Sequence, residues 1–231
     1  MAKQIKKAPE KAEANVGEML SKSEKFFAAN KKLIVSVASA IVIIVVAIIG
    51  IRQYYLIPQE NSAQEAMFPC ENYFSSQQWD LALHGDSVEC IGFLGVIDDY
   101  SITKSAKLAQ AYAGICLYRM GFPEEAIDYL KKYKADDALL APTITSLIGD
   151  CLVETGKTEQ AIPYFKKAAE KTGEGSTLGP IFLNKAARAY EEIKDYKNAA
   201  NMYRIIKEQY PNSALGLKAD KYIEKFEAEL K

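Results

Sequence analysis

The histidine in the segment "HGD", His84, lies two residues before Asp86, and such a pair could take part in acid–base chemistry. A hydrolytic site would also need a nucleophile, and no serine or cysteine stands in a recognisable elbow nearby. Asp86 precedes "SVEC", where a helix N-cap explains it more simply. We therefore predict that the protein is not an enzyme and has no catalytic residue and no cofactor.

Cysteines are the other side chains that could carry chemistry, and the chain has four of them: Cys70, Cys90, Cys116 and Cys151. None belongs to a C-x-x-C pair, so we expect no zinc or redox site and no other bound metal. An even count would allow disulfides in an oxidising compartment. The repeat positions of Cys70, Cys116 and Cys151 instead favour small buried side chains, so core packing is the preferred interpretation and disulfides are the alternative.

The distribution of charge argues against nucleic acid as a partner. The chain of 231 residues has 29 basic and 30 acidic residues, but eight lysines precede residue 33. Without these lysines, Arg52 and four N-terminal glutamates, residues 53–231 hold 20 basic and 26 acidic residues. Binding to phosphates demands a basic surface, which this acidic body does not offer.

An uncharged apolar run, "LIVSVASAIVIIVVAIIGI", occupies residues 33–51. At about 1.5 Å per residue it approaches the roughly 30 Å hydrocarbon thickness of a bilayer, which predicts a transmembrane helix. Lys31 and Lys32 precede the run, and Tyr54 and Tyr55 follow it at the position of an interface. The alternatives are a signal peptide, which would have a shorter apolar core followed by a small-residue cleavage site, and a buried core helix.

The basic flank predicts the orientation of the chain, because positively charged flanks stay on the cytoplasmic side. Residues 1–32 are then a cytoplasmic basic tail, residues 52–60 a linker, and residues 61–231 an extracytoplasmic domain. Within the tail, Val16, Met19 and Leu20 begin an amphipathic pattern. The tail is either a helix lying on an anionic membrane surface or simply solvated.

Nearly the same thirteen residues occur three times, as "GFPEEAIDYLKKY", "GKTEQAIPYFKKA" and "KDYKNAANMYRII". Their central alanines are Ala126, Ala161 and Ala199, which are 35 and 38 residues apart. Each copy follows another segment of helical periodicity that ends at a turn. The pattern predicts stacked helical hairpins, because one such unit cannot bury its apolar face alone.

These units resemble the tetratricopeptide repeat, which has small residues at positions 8 and 20 and large ones at positions 11 and 24. Position 8 is Gly114, Gly149 and Ala187, and position 24 is Leu130, Phe165 and Tyr203. Lys194 departs from the family, which usually has glycine there. The resemblance implies an all-α solenoid of helical hairpins, here preceded by one transmembrane helix. The two helices of each hairpin are expected to cross closely at the small residues.

The repeats are placed at residues 107–140, 142–175 and 180–213, with a degenerate copy at about 63–104 and a capping helix at 213–231. The degenerate copy is about ten residues too long, and the extra residues around "HGDSVECIGF" break or lengthen its second helix.

In the family, certain positions of the first helices line a partner-binding groove. The residues at these positions that we expect to bind protein partners are Met67, Phe74, Leu108, Ile115, Tyr118, Arg119, Asp150, Glu154, Arg188 and Glu191. The first half of this set is apolar and aromatic, and the second half is charged. An extended or helical apolar segment would suit it, although solvation alone could also explain its polarity.

A single anchor followed by such repeats is similar to the YfgM family of bacterial inner-membrane proteins, most closely in "LIGDCLVETGKTEQAIPYFKKA". The resemblance implies a periplasmic domain and an ancillary role at the SecYEG translocon. The expected partners are translocon subunits, secreted chains or chaperones. The alternative is a structural or assembly protein of the cell envelope that self-associates or bridges to outer-membrane or cell-wall machinery.

Overall fold

A computed structural model of the chain describes residues 10–231 except residues 87, 136 and 174, and describes side chains from residue 29 onward. Within these residues the structure is entirely helical and has no β-strand, which confirms the predicted all-α class. The chain divides into two compact units between Ile57 and Pro58.

The first unit contains helix α1, Glu10–Ile51, and a π-helical turn, Arg52–Leu56. Helix α1 ends at the last residue of the apolar run. The apolar side chains of this run are mostly exposed, for example Ile43 at 68% and Val46 at 62%, so α1 is not the core helix of a soluble domain. By length and composition it can cross a membrane. The side chains of the predicted interfacial helix, and residues 1–9 of the tail, lie outside the described residues.

The second unit is a series of helices, and from its second helix onward each packs against its neighbours along the chain. They are α2 Ile57–Ser75, α3 Trp79–His84, α4 Gly92–Asp99, α5 Lys104–Arg119, α6 Pro123–Leu130, α7 Leu140–Glu154, α8 Thr158–Glu170, α9 Gly179–Glu192, α10 Tyr196–Gln209 and α11 Ala219–Ala228, with a 3₁₀ turn, Gly216–Lys218, before α11. Contacts between successive helices are typical of a solenoid, in which each hairpin buries the apolar face of the next.

Glycine at position 8 lets the two helices of a hairpin approach closely. A Cβ atom on Gly149 would lie 2.6 Å from Cε1 of Phe165, and one on Gly114 would lie 2.5 Å from Cγ of Leu130. Both large side chains are buried. The large residue at position 24 therefore packs directly on the glycine of the first helix, as the repeat pattern predicts.

The turn between the helices of each hairpin has the same left-handed backbone in all three copies. The φ angles are +87° at Gly121, +72° at Gly156 and +62° at Lys194. Glycine reaches this region without strain, and lysine is uncommon there. The departure at Lys194 therefore changes the residue and keeps the turn.

The degenerate first hairpin differs from the others because its second helix is broken. Helices α3 and α4 replace one helix, and residues 85, 86 and 88–91 lie in the loop between them. Asp86 is not the N-cap of α4, which begins at Gly92. Its Oδ1 atom instead accepts hydrogen bonds from the backbone N–H groups of Val88, Glu89 and Cys90, so Asp86 caps the loop.

The cysteines divide into two kinds. Cys70 of α2 and Cys90 of the loop form a disulfide with a Cα–Cα distance of 5.3 Å, so packing as free thiols is the wrong interpretation for this pair. Cys116 and Cys151 are free and fully buried, as expected. The difference arises from the loop, which returns Cys90 to α2 where a regular second helix would have carried it away.

Candidate partner-binding groove

A groove crosses three hairpins in the second half of the repeat unit and has a volume of about 520 Å³. Tyr118 comes from α5, Asp150, Val153 and Glu154 come from α7, and Lys185, Arg188 and Glu191 come from α9. Side chains three or four residues apart share one face of a helix, so the first helix of each hairpin presents one row to the groove. We call the surface formed by these seven residues the groove.

The groove continues toward the C-terminus into a second recess of about 370 Å³. Arg188 and Glu191 line both spaces, and Tyr203, Tyr222 and Phe226 line only the second. The ring centroids of Tyr203 and Tyr222 lie 4.4 Å apart in a stacked arrangement. The groove therefore passes from a charged section to an aromatic one.

Five of the ten predicted site residues come together here, namely Tyr118, Asp150, Glu154, Arg188 and Glu191. The repeat positions place these residues on neighbouring helices, and the stacking of α5, α7 and α9 brings them to one space.

The other five predicted residues lie elsewhere. Met67 is 6% exposed and packs in the core, so its placement in the groove is wrong. Phe74 is half-buried among aromatic rings, with its centroid 4.7 Å from that of Tyr112. Leu108 and Ile115 are half-buried against the core, and Arg119 is exposed outside the described pockets. The apolar half of the predicted groove is therefore largely interior.

Lys185 is a groove residue that the sequence analysis missed. Its Nζ atom lies 2.5 Å from Oδ2 of Asp150 and 3.2 Å from the hydroxyl of Ser146, which links α9 to α7. Burial raises the pKa of Asp150, and the ammonium group of Lys185 opposes this effect. Lys185 occupies a repeat position that the family pattern does not assign to the groove, so only the packing of neighbouring hairpins reveals the pair.

Most of the acidic groups in the groove already have an internal partner. The hydroxyl of Tyr118 donates to Glu154 at 2.6 Å, and burial together with this carboxylate raises the pKa of Tyr118. Lys225 of α11 lies 2.6 Å from Glu191. Arg188 differs, because within the described part of the chain it forms no ion pair. Its guanidinium group is exposed and available to a ligand.

The residues considered for catalysis do not form a dyad. The Nδ1 atom of His84 lies 3.0 Å from Asp80, one turn earlier in α3, and the pair is exposed. Asp86 holds the loop and accepts a hydrogen bond of 2.7 Å from Tyr73, which, with the backbone N–H groups, lowers its pKa. Among the described residues, no group of three histidine, cysteine, aspartate or glutamate side chains could hold a metal ion.

Comparison with protein families gives two matches to tetratricopeptide repeats, at residues 146–170 and 185–213. The chain contains tetratricopeptide repeats. The two matched repeats correspond to the hairpins α7–α8 and α9–α10, which supply most of the groove. Comparison with curated proteins gives no match. Tetratricopeptide repeats indicate a scaffold that binds protein partners.

Proposed function

We propose that this protein is a membrane-anchored tetratricopeptide repeat scaffold that binds protein partners in the groove, outside the cytoplasmic membrane of a bacterium. The observation that carries the proposal is the groove itself, which is continuous across three hairpins. Its one described cation without an ion pair, Arg188, lies between a charged section and the stacked rings of Tyr203 and Tyr222. An extended or helical segment with an acidic group beside apolar side chains fits this arrangement.

The apolar part of α1 supports the membrane anchor. Its side chains are exposed in the folded chain, which is costly in water and favourable in hydrocarbon. Tyr54 is 85% exposed and Tyr55 is 55% exposed just after this segment, where aromatic residues suit the boundary between membrane and water. Anchoring confines the groove to a thin layer beside the membrane and raises its effective concentration toward partners there.

The disulfide between Cys70 and Cys90 supports the location of the repeat unit. Disulfides persist in oxidising compartments such as the periplasm and are rare in the cytosol. The lysine-rich segment before the apolar run of α1 favours a cytoplasmic N-terminus. The repeats would then lie outside the cytoplasm, which is also the side that the disulfide favours. Two independent features thus support one orientation.

The resemblance to the YfgM family supports a finer proposal. In it, the groove holds translocon subunits, secreted chains or periplasmic chaperones, and the scaffold keeps emerging chains close to their chaperones. Weak contacts suffice for this role, because the anchor supplies the effective concentration.

Site-specific photocrosslinking in membranes tests the proposal. A photoreactive side chain at Val153 lies inside the groove, and one at the exposed Asn201 of α10 serves as a matched control. We expect partner proteins to crosslink from position 153 only, and Arg188→Glu to reduce their yield. Identical products from both positions would contradict binding in the groove. Products that include no translocon subunit, secreted chain or chaperone would overturn only the finer proposal.

A second candidate is a self-associating assembly protein of the envelope. Leu217 is 77% exposed and Leu230 is 55% exposed at the C-terminal end of the solenoid, where a capping helix normally presents a polar face. Crosslinks from Leu217 to a second copy, with none from Val153 to other proteins, would favour this function. Protease accessibility of the repeat unit in intact and opened cells tests the orientation common to both candidates.

A further inference from the structure

A separate recess of about 530 Å³, distinct from the groove and from the aromatic recess that continues it, lies on the other side of α7 from the groove. It is lined by Ala141, Ile144, Thr145 and Ile148 of α7, by the end of α6 with residues 131 and 133–135, and by α8. With about 3.6 residues per turn, these α7 residues lie roughly half a turn from Asp150, Val153 and Glu154. A ligand in this recess therefore does not compete with a ligand in the groove.

Four lysines line this recess: Lys131, Lys134, Lys167 and Lys171. Among the residues that the structure describes, no acidic residue lines it and none of these lysines forms an ion pair. We call this set, together with Ile144 and Ile148, the lysine recess. It is a local positive site on a body with more acidic than basic residues.

Helix stability explains part of this arrangement. Lys131 follows the last residue of α6 and Lys167 lies in the last turn of α8, where cations interact favourably with the helix dipole. This effect does not account for Lys134, which lies beyond α6 in the connecting segment. The helix dipole also gives no reason for lysines from different elements to surround one space.

The neighbouring polar groups narrow the choice of ligand. Asp137 accepts hydrogen bonds from the backbone N–H groups of Leu139, Leu140 and Ala141, so the start of α7 has no free amides to hold a phosphate. The hydroxyl of Tyr133 also donates to Asp137. The half-buried Tyr164 has no hydrogen-bond partner among the described residues, and its hydroxyl can donate to a ligand.

We propose that the lysine recess binds an acidic segment of a partner polypeptide, so that the scaffold holds a second protein opposite the groove. Flexible lysines act as separate point charges and suit carboxylates spaced along a chain, whereas clustered phosphates favour arginine forks and backbone amides. A bilayer surface cannot enter a recess, whereas an extended segment can. The buried side chains of Ile144 and Ile148 form a floor for the aliphatic part of an acidic residue.

Peptide binding to the full-length protein in a neutral detergent tests the proposal. The probe is a fluorescent peptide of about eight alternating Asp, Glu and Gly residues, which at about 3.3 Å per extended residue is long enough to cross the recess. We expect the wild-type chain to bind it, and Lys167→Glu with Lys171→Glu to weaken binding by about tenfold. Added salt should weaken wild-type binding as well.

The matched control is Lys197→Glu with Lys221→Glu, which makes the same change in net charge at exposed positions outside the recess. It should change the affinity by no more than about twofold, because distant surface charges are screened. If the double variant at 167 and 171 is unfolded, Lys131→Gln with Lys134→Gln outside the helices replaces it.

Absence of peptide binding would overturn the proposal, as would equal affinities of the recess variant and the control. Two further measurements distinguish other ligands. Displacement of the peptide by inorganic phosphate at equal charge concentration would show a small-anion site. Lysine-dependent binding to phosphatidylglycerol vesicles by protein held in zwitterionic nanodiscs, without peptide binding, would show a membrane surface. Either result would overturn the assignment to an acidic segment.

Discussion

Gly149 is the residue whose replacement tests the packing of the repeats most directly. In Gly149→Ala, the added methyl group would lie 2.6 Å from Cε1 of Phe165 and 2.9 Å from two other ring atoms. Ordinary contacts of this kind begin at 3.4 Å, so the ring must move by about 0.8 Å. Phe165 is 2% exposed and is held between α7 and α9, so it has little space to move into.

Overpacking of a core by one methyl group costs about 1–3 kcal/mol, whereas alanine is favoured over glycine within a helix by about 0.5–1 kcal/mol. The difference between these two effects is about 0–2.5 kcal/mol, and the enclosure of the Phe165 ring excludes the lower end, so we expect a net loss of about 1–2 kcal/mol in the free energy of unfolding. For a domain of this size each kcal/mol lowers the unfolding midpoint by about 2–4 °C, which gives a decrease of about 2–8 °C. The assay is thermal unfolding of the full-length protein in detergent, followed by circular dichroism.

Gly173→Ala is the matched control, because a Cβ atom there meets nothing within 4 Å and the backbone is not left-handed. This variant should unfold at the wild-type temperature or slightly above it. In a double-mutant cycle, Phe165→Leu should relieve part of the cost of Gly149→Ala, because it removes the ring atoms that the methyl group meets. Wild-type stability of Gly149→Ala, or strict additivity with Phe165→Leu, would refute the close crossing.

Glu60 of α2 accepts hydrogen bonds from the backbone N–H groups of Lys104 and Ser105 and from the Ser105 hydroxyl, at 2.6–3.0 Å, and so caps α5 from another helix. Burial raises the pKa of Glu60, but these hydrogen bonds outweigh the effect of burial and lower the pKa from its ordinary value of 4.5. The stabilisation by the charged carboxylate is therefore present above pH 4.5 and is lost as the pH falls through the pKa of the folded state. Glu60→Gln should lower the free energy of unfolding, measured by denaturant titration, by about 1 kcal/mol at neutral pH. The difference from the wild type should vanish in acid, and a difference that persists there would refute the role of the charge. Cys70 and Cys90 are 20 residues apart, so replacing both by serine should lower the free energy of unfolding by about 3 kcal/mol in the same titration, and an unchanged value would contradict the disulfide. The thiols of Cys116 and Cys151 are buried, which raises their pKa values to about 12, so they should react with an alkylating reagent only after unfolding.

The regular hairpins could be predicted from sequence because their pattern is local. Small residues at positions 8 and 20 and large residues at position 24 indicate a close crossing of the two helices. The Phe165 ring indeed lies directly against Gly149. The charged side chains of the groove could be predicted from the same pattern, because residues at equal repeat positions face the same way. The ion pair between Lys185 and Asp150 could not be predicted, because it depends on how far neighbouring hairpins rotate against each other.

The first hairpin shows where such pattern reasoning fails and why. Met67 and Phe74 occupy groove positions of a regular repeat. Because the second helix is broken, α3 and α4 pack against that part of α2, so that Met67 is buried and Phe74 is half-buried. Cys70 stands at position 8, where the other hairpins have glycine or alanine at a close crossing. Helix α3 has only six residues, and a short helix is marginal without tertiary support.

The disulfide and Asp86 provide that support in another form. Cys90 bonds to the residue at the crossing position, while Asp86 holds the intervening loop through three backbone N–H groups and the Tyr73 hydroxyl. A covalent link supplements helix packing at the hairpin whose second helix is interrupted. This hairpin follows the proposed membrane-spanning segment in the chain, so its stability would depend on the oxidising conditions that the proposed location provides. In a reducing compartment the same chain would lose its firmest contact between α2 and the rest of the first hairpin.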